Sequence, residues 1–147
     1  MKFKILYLKS FIIGIIIFTL IISIFVIPSL IKEGIAFYSK NIIISFFVGI
    51  YLSIIPFLYS NIQVIKIINN ISKNILFSED TIKSLNKIKK SSFVFCVIYI
   101  FLFPIFYYLG EIDDAPGMIL LGFIIILSSI FIYILMSVLI DELKNKL

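Results

Sequence analysis

Three carboxylates lie close together in one short polar segment of this chain, and they are the residues best suited to bind a metal ion. They are Glu111, Asp113 and Asp114. Hard divalent cations prefer oxygen ligands, so such a cluster could bind one of them. However, the spacing lacks the alternating ligand pattern of a calcium loop, and acids just before a helix commonly cap it. We therefore predict that these acids are solvated, that Asp113 or Asp114 caps the next helix, and that they form no metal site.

The remaining reactive residue types are few. Cys96 is the only cysteine and the chain contains no histidine, so neither an internal disulfide nor a Cys-His pair can form. Cys96 lies in an apolar stretch, where a lone thiol behaves as a small inert hydrophobe. The sequence also lacks a glycine-rich phosphate loop and a serine-based catalytic motif. We predict that the protein is not an enzyme and has no cofactor.

All thirteen basic residues are lysines, and several of them are concentrated near the middle of the chain. Without arginine the chain lacks the guanidinium fork that reads phosphates and bases, so we expect no direct nucleic-acid binding. Lysines can instead interact with anionic lipid head groups or with an acidic face of a partner protein, and both alternatives stay open. The candidate surface consists of Lys83, Lys87, Lys89 and Lys90.

The composition places these residues in a membrane protein. Hydrophobic residues make up 62% of the 147 residues, the mean hydropathy is +1.21, and only 14% of residues are charged. Four apolar stretches, 11–27, 42–65, 93–109 and 118–140, are each long enough for a helix to cross a membrane. The sequence therefore predicts an all-α fold, a single integral membrane domain (1–147) that forms a four-transmembrane-helix bundle.

The distribution of charge predicts the orientation of the bundle. Lys2, Lys4 and Lys9 precede the first apolar stretch, and the segment between the second and third stretches is also rich in lysine. Because basic segments remain inside, we expect a multi-pass protein of the cell membrane with both termini cytoplasmic. The four stretches contain no Asp, Glu, Lys, Arg or His, which argues against a proton-coupled exporter with an embedded carboxylate.

A short amphipathic helix is expected between the second and third membrane helices. Ser78 is suited to the N-cap, acids follow it, and Ile82, Leu85 and Ile88 recur at three-residue spacing. The helix is predicted to be cytoplasmic, with its apolar stripe either on the membrane surface or on the end of the bundle.

Helix boundaries and packing are also predicted. Pro28 is expected to end the first helix. Ser45, Gly49 and Ser53 recur every four residues, a stripe that allows close approach of another helix. Four polar residues at the end of the second stretch are explained by solvation at the interface, with the mouth of a polar cavity as the alternative. They are Tyr59, Ser60, Asn61 and Gln63.

The acidic segment is predicted to be an external hairpin in which Pro116 occupies the first turn of the fourth helix. Its residues are Glu111, Asp113, Asp114, Pro116 and Gly117.

Two stretches, 75–82 with the following Leu85 and Ile88, and 111–117, together with the four-helix plan, resemble a bacterial membrane family catalogued as domain of unknown function 2975. The resemblance spans nearly the whole chain. It implies no established activity. Members of that family are often encoded beside a small helix-turn-helix regulator, so the resemblance suggests a cytoplasmic partner of that kind.

Two functions are compatible with these observations. We favour a non-enzymatic membrane protein with a regulatory or accessory role, acting through the cytoplasmic loop, because catalytic groups are missing from the sequence. The alternative is a subunit of a transport or immunity system that acts as a homo-oligomer, which the stripe of small residues favours.

Overall fold

The computed structural model describes residues 2–147, all of which lie in helices or in short connections between helices. The helices are α1 (Lys2–Ile21), α2 (Ile27–Phe37), α3 (Lys40–Ser72), α4 (Glu79–Ile112) and α5 (Pro116–Lys146). A π-helical turn, Ile22–Val26, joins α1 and α2 into one span. This span and the three helices that follow are each long and apolar enough to cross a membrane. The predicted all-α, four-helix fold is confirmed.

Pro28 does not end the first helix, so this prediction is wrong. The N–H of Ile27 donates to the carbonyl of Ile22, five residues earlier, which widens the helix just before the proline ring. That bond and the missing N–H of Pro28 leave the carbonyl of Ser23 without a helical partner. The hydroxyl of Tyr51 on α3 donates to this carbonyl at 2.7 Å. A residue from the neighbouring helix therefore satisfies the backbone group that the irregular turn frees.

The four spans alternate in direction, which sorts the charged residues between the two ends of the bundle. One end, called the basic end below, carries every lysine except Lys32 and Lys40, together with four acids. The opposite end, called the acidic end, carries those two lysines and four acids. The acids at the basic end are Glu79, Asp80, Asp141 and Glu142, and those at the acidic end are Glu33, Glu111, Asp113 and Asp114.

Helix α4 is the centre of the bundle. It packs against α3 on one side and α5 on the other, whereas α1 and α2 pack on α3. The buried core consists mainly of α4 side chains, and the Phe106 ring meets that of Phe46 edge to face at 5.0 Å. Close packing of this kind is what holds helices together in lipid, where hydrophobic burial supplies little. The buried core residues are Phe46, Tyr99, Leu102, Phe106 and Leu109.

The segment predicted as an amphipathic helix is helical and continuous with the third span. Ser78 occupies the N-cap position, and α4 then runs without interruption to Ile112. Leu85 and Ile88 are buried, so the apolar stripe packs on the bundle, which was one of the two predicted alternatives. Helix α3 likewise continues beyond its apolar stretch to Ser72. The region between the second and third spans is thus a projecting pair of helices joined by a short turn.

Both long helices end in the same turn, and this corrects the predicted role of the hairpin acids. Asn74 and Asp114 have positive φ values of 60° and 52°. In each case the next residue, Ile75 or Ala115, donates its N–H to a carbonyl five residues earlier, which is the Schellman arrangement. Asp114 therefore closes the end of α4, and neither hairpin acid forms a side-chain cap on α5. Pro116 is the first residue of α5, as predicted.

Candidate functional site

A basic cleft lies between the last turns of α3 and the first turns of α4. Its volume is about 270 Å³. Below it the Nδ2 of Asn70 donates to the Oγ1 of Thr81 at 3.0 Å, so a hydrogen bond between buried or half-buried groups fixes the two helices relative to each other. Every residue that lines the basic cleft is polar: Lys66, Asn69, Asn70 and Lys73 from α3, and Asp80, Lys83, Ser84 and Lys87 from α4.

The charges of the basic cleft favour an anionic ligand. Four of the lining residues are lysines, and Asp80 is the one carboxylate among them. Like charges held close together repel, and a bound anion relieves that repulsion. An acidic protein side chain or a phosphate group has the charge that this lining favours.

The four predicted lysines do not form one surface. Lys83 and Lys87 line the basic cleft. Lys89 faces α5, with its Nζ 5.1 Å from the centre of the Tyr133 ring, and Lys90 is exposed outside the cleft. Lys66 and Lys73 belong to the same lysine-rich segment but were not among the four candidate lysines, because only the turn after α3 brings them opposite α4.

A second site, called the polar cavity below, lies between α3, α4 and α5 and has a volume of about 500 Å³. Ser60 and Asn61 line it, although most of its lining is apolar. Tyr59 is exposed. Gln63 is only 1% exposed, and its Oε1 has no hydrogen-bond partner among the described residues.

Two pairs of adjacent serines that were not among the predicted site residues complete the polar side of this cavity. Ser91 and Ser92 come from α4, and Ser128 and Ser129 from α5. A signal was present in the sequence, because adjacent serines in or beside apolar stretches are costly to bury unless they are hydrogen-bonded. That the two serine pairs face one cavity could not be predicted, because the sequence does not show which helices are neighbours.

The predicted stripe of small residues is divided by the structure. A Cβ at Gly49 would lie 2.4 Å from the Cδ2 of Leu102, so this glycine permits the close approach of α3 and α4. Ser53 is buried, and its Oγ lies 3.1 Å from the hydroxyl oxygen of Tyr99. Ser45 is exposed and takes no part in this contact. A four-residue spacing rotates about 40° around a helix at each step, which carries Ser45 out of the interface.

A hydrogen bond connects the acidic hairpin to the connection between α2 and α3. The Tyr38 hydroxyl, in the connection between α2 and α3, donates to the Oδ2 of Asp113. That bond raises the pKa of the Tyr38 phenol above its ordinary value, with smaller contributions from burial and from the charge of Asp113. Glu111 is exposed, and a Cβ at Gly117 would have open space around it. Among residues 2–147, no three side chains of the metal-binding types are placed to share an ion.

Comparison with known proteins places the chain in a family. Residues 3–145 match the family described as Protein of unknown function (DUF2975). The chain belongs to this family. It is also 33% identical over 130 residues to the Uncharacterized membrane protein YoaS of Bacillus subtilis (strain 168), an alignment that covers 87% of this chain and 81% of that protein. No solved structure matches the chain. The family match, this relative and the four apolar helices show a multi-pass membrane protein.

Proposed function

We propose that the protein is a non-enzymatic membrane regulator or accessory protein that binds an acidic cytoplasmic partner in its basic cleft. The observation that carries the proposal is the convergence of Lys66 and Lys73 with Lys83 and Lys87 at the tip of two rigid helices. A preformed, positively charged cleft attracts an acidic surface and fixes its orientation.

The lengths of the helices support a partner in the aqueous phase. Helix α3 has 33 residues and α4 has 34, so each is about 50 Å long at 1.5 Å per residue. The hydrocarbon core of a bilayer is about 30 Å thick, so roughly 20 Å of each helix lies outside it. The polar residues lie on the side of the connecting turn, which is where this extension falls.

The proposal also includes the orientation of the protein in the membrane. Basic segments stay on the cytoplasmic side during insertion, so the basic end and both termini are cytoplasmic, and the acidic end is external. In a Cys96→Ser background, Asp113→Cys and Gly117→Cys should react in intact cells with a thiol reagent that does not cross membranes. Lys87→Cys should react only after permeabilisation.

Labelling of Lys87→Cys in intact cells, with protection of both hairpin variants, would reverse the orientation. Gly117→Cys serves as the control for folding. Asp113→Cys removes the hydrogen bond that Asp113 accepts from Tyr38, whereas a side chain at position 117 would have open space around it.

The basic cleft is tested by removing its charge. A variant with Lys66, Lys73, Lys83 and Lys87 all replaced by Gln is expected to recover about tenfold less of a cytoplasmic partner from native membranes, a loss equal to about 1.4 kcal/mol. The matched control replaces Lys89, Lys90, Lys144 and Lys146 by Gln. It removes the same charge from the same end of the bundle outside the cleft, and should retain the partner.

Partner recovery is measured by quantitative mass spectrometry after purification into discs of neutral lipid. Rising salt should weaken recovery with the unmodified protein, because ions screen exposed charges. Equal recovery with the cleft variant and the control would contradict the proposal. Loss of recovery in neutral discs with the unmodified protein would show that anionic lipid is the ligand instead. A small helix-turn-helix regulator is the partner we expect from the family resemblance.

A second candidate function, a subunit of a transport or immunity system acting as an oligomer, is favoured by the surface of the first span. None of the α1 residues from Lys2 to Ile21 is buried, and α3 is the neighbouring membrane helix on which α1 packs. Its free apolar face suits either lipid or a second copy. Recovery of ATPase subunits in the same purification would support this candidate over the regulatory one.

A further inference from the structure

The polar cavity combines hydrogen-bonding groups with apolar walls and has no charged lining. Ser60 and Asn61 from α3 and the two serine pairs from α4 and α5 form its polar side. The side chains of Phe57, Phe95 and Met136 are among its apolar walls. Volumes of about 300–1,000 Å³ are typical of small-molecule sites, and such sites place a few polar groups in a mainly apolar lining.

Part of this polar side can hydrogen-bond a ligand. Ser91 and Ser92 are each only 7% exposed and line the cavity. Asn61 donates its Nδ2 to the carbonyl of Phe57, and Ser129 donates to the carbonyl of Ile125. The carbonyl oxygen of Asn61 remains available to a ligand. A hydroxyl group can both donate and accept a hydrogen bond, so serines on the wall of a mainly apolar cavity favour a ligand that carries hydroxyl groups of its own.

The position of the cavity indicates that the ligand reaches it through the membrane. Its α3 wall, from Pro56 to Val64, and its α5 wall, from Ile124 to Met136, belong to stretches apolar enough to lie in hydrocarbon. A second cavity of about 590 Å³ shares Ile125 with it, and the lining of this second cavity includes Glu33 and Asp113 at the acidic end. Apolar side chains make up most of this second lining, which provides room for an alkyl chain.

We propose that the polar cavity binds a neutral amphiphile, an uncharged hydroxyl-bearing head with an alkyl chain, of the monoacylglycerol class. The head group exchanges hydrogen bonds with Ser91, Ser92 and the carbonyl oxygen of Asn61. The chain lies along α4 in the second cavity. A charged head would be buried without a counter-charge, because no ionisable side chain lines the polar cavity.

The site is tested with monolaurin that carries a diazirine in its acyl chain, added to the full-length protein in phosphatidylcholine discs. Light-induced labelling is expected on the α4 and α5 walls, within 88–106 and 118–136, and excess unlabelled monolaurin should remove it. Dodecane, which lacks the head group, and laurate, whose head is charged, should compete at least about tenfold less well.

The variant Ser91→Ala/Ser92→Ala removes two hydrogen bonds and leaves the shape nearly unchanged, so labelling should fall about tenfold. Ser137→Ala is the control, because Ser137 is a half-buried serine of α5 that lines neither the polar cavity nor the basic cleft. Ser128→Leu places a larger apolar group on the wall from an exposed position and should also reduce labelling. Unchanged labelling in both cavity variants would overturn the proposal, as would equal competition by dodecane.

The outcome is separate from that of the proposed function, because the polar cavity and the basic cleft share no lining residue. Labelling lost in the cavity variants with normal partner recovery would support the ligand site alone. Labelling on α1 or over the whole lipid-facing surface would show nonspecific partitioning and would refute the site.

Discussion

Replacing Gly49 by Leu is expected to force α3 and α4 apart and to lower the free energy of unfolding by about 1–3 kcal/mol. Any Cβ at this position would meet three atoms of Leu102, at 2.4, 2.9 and 2.9 Å. Leu102 is only 5% exposed and belongs to the core, so its side chain has little space into which it can move. The measurement is equilibrium unfolding in mixed detergent micelles, followed by circular dichroism.

The chain provides a matched control for this substitution. Gly14 is also a helical glycine in a membrane span, but a Cβ there would find nothing within 4 Å. Gly14→Leu should therefore leave stability nearly unchanged. In addition, Leu102→Ala should offset part of the cost of Gly49→Leu, because the two side chains compete for the same space. Equal destabilisation by Gly14→Leu and Gly49→Leu would refute the steric explanation.

The membrane spans could be predicted from the sequence because hydropathy is a local property. A stretch of about twenty apolar residues is sufficient to predict a crossing whatever surrounds it. The Pro116 position was predictable for a similar reason, since proline fits the first turn of a helix without help from other elements.

Features that depend on distant residues could not be predicted in this way. Pro28 is accommodated because Tyr51, on another helix, hydrogen-bonds the carbonyl of Ser23. Asp113 accepts a hydrogen bond from Tyr38, which lies 75 residues away along the chain. In both cases the local sequence predicted an outcome that a partner on another part of the chain changes.

The candidate sites show the same limit. Lys83 and Lys87 were identified as a possible surface, but the basic cleft also needs Lys66 and Lys73 from the preceding helix. Likewise, Ser60 and Asn61 were noticed, whereas the serine pairs that face them were not. Side-chain chemistry can be read from the sequence, while the pairing of helices that turns it into a site requires the fold.

Phe106→Ala is expected to have the largest effect on stability, a loss of about 3–5 kcal/mol, because it would open a cavity at the centre of the bundle. Phe106 is only 3% exposed and lies between the neighbours of α4. Its ring meets Phe46 of α3, and its Cγ would lie 3.1 Å from a Cβ built at Gly122 of α5.

The control for Phe106→Ala is Phe101→Ala, the same change on the same helix at a side chain that is 77% exposed. In lipid an outward-facing phenylalanine is surrounded by acyl chains, so its loss should cost much less than the loss of the core ring. Both variants are compared by unfolding in mixed micelles. Equal costs would mean that Phe106 does not hold α3 and α5 against α4.

The same pair of variants connects packing to the polar cavity. Phe106 lines the second cavity, and Gly122 precedes the α5 wall that carries Ile125 and Ser129. Loosening α5 by Phe106→Ala should therefore lower monolaurin labelling, whereas Phe101→Ala should preserve it. Full labelling in a destabilised Phe106→Ala protein would show that the cavity keeps its shape without this contact, and that the α3–α4 pair alone positions the serines of α4.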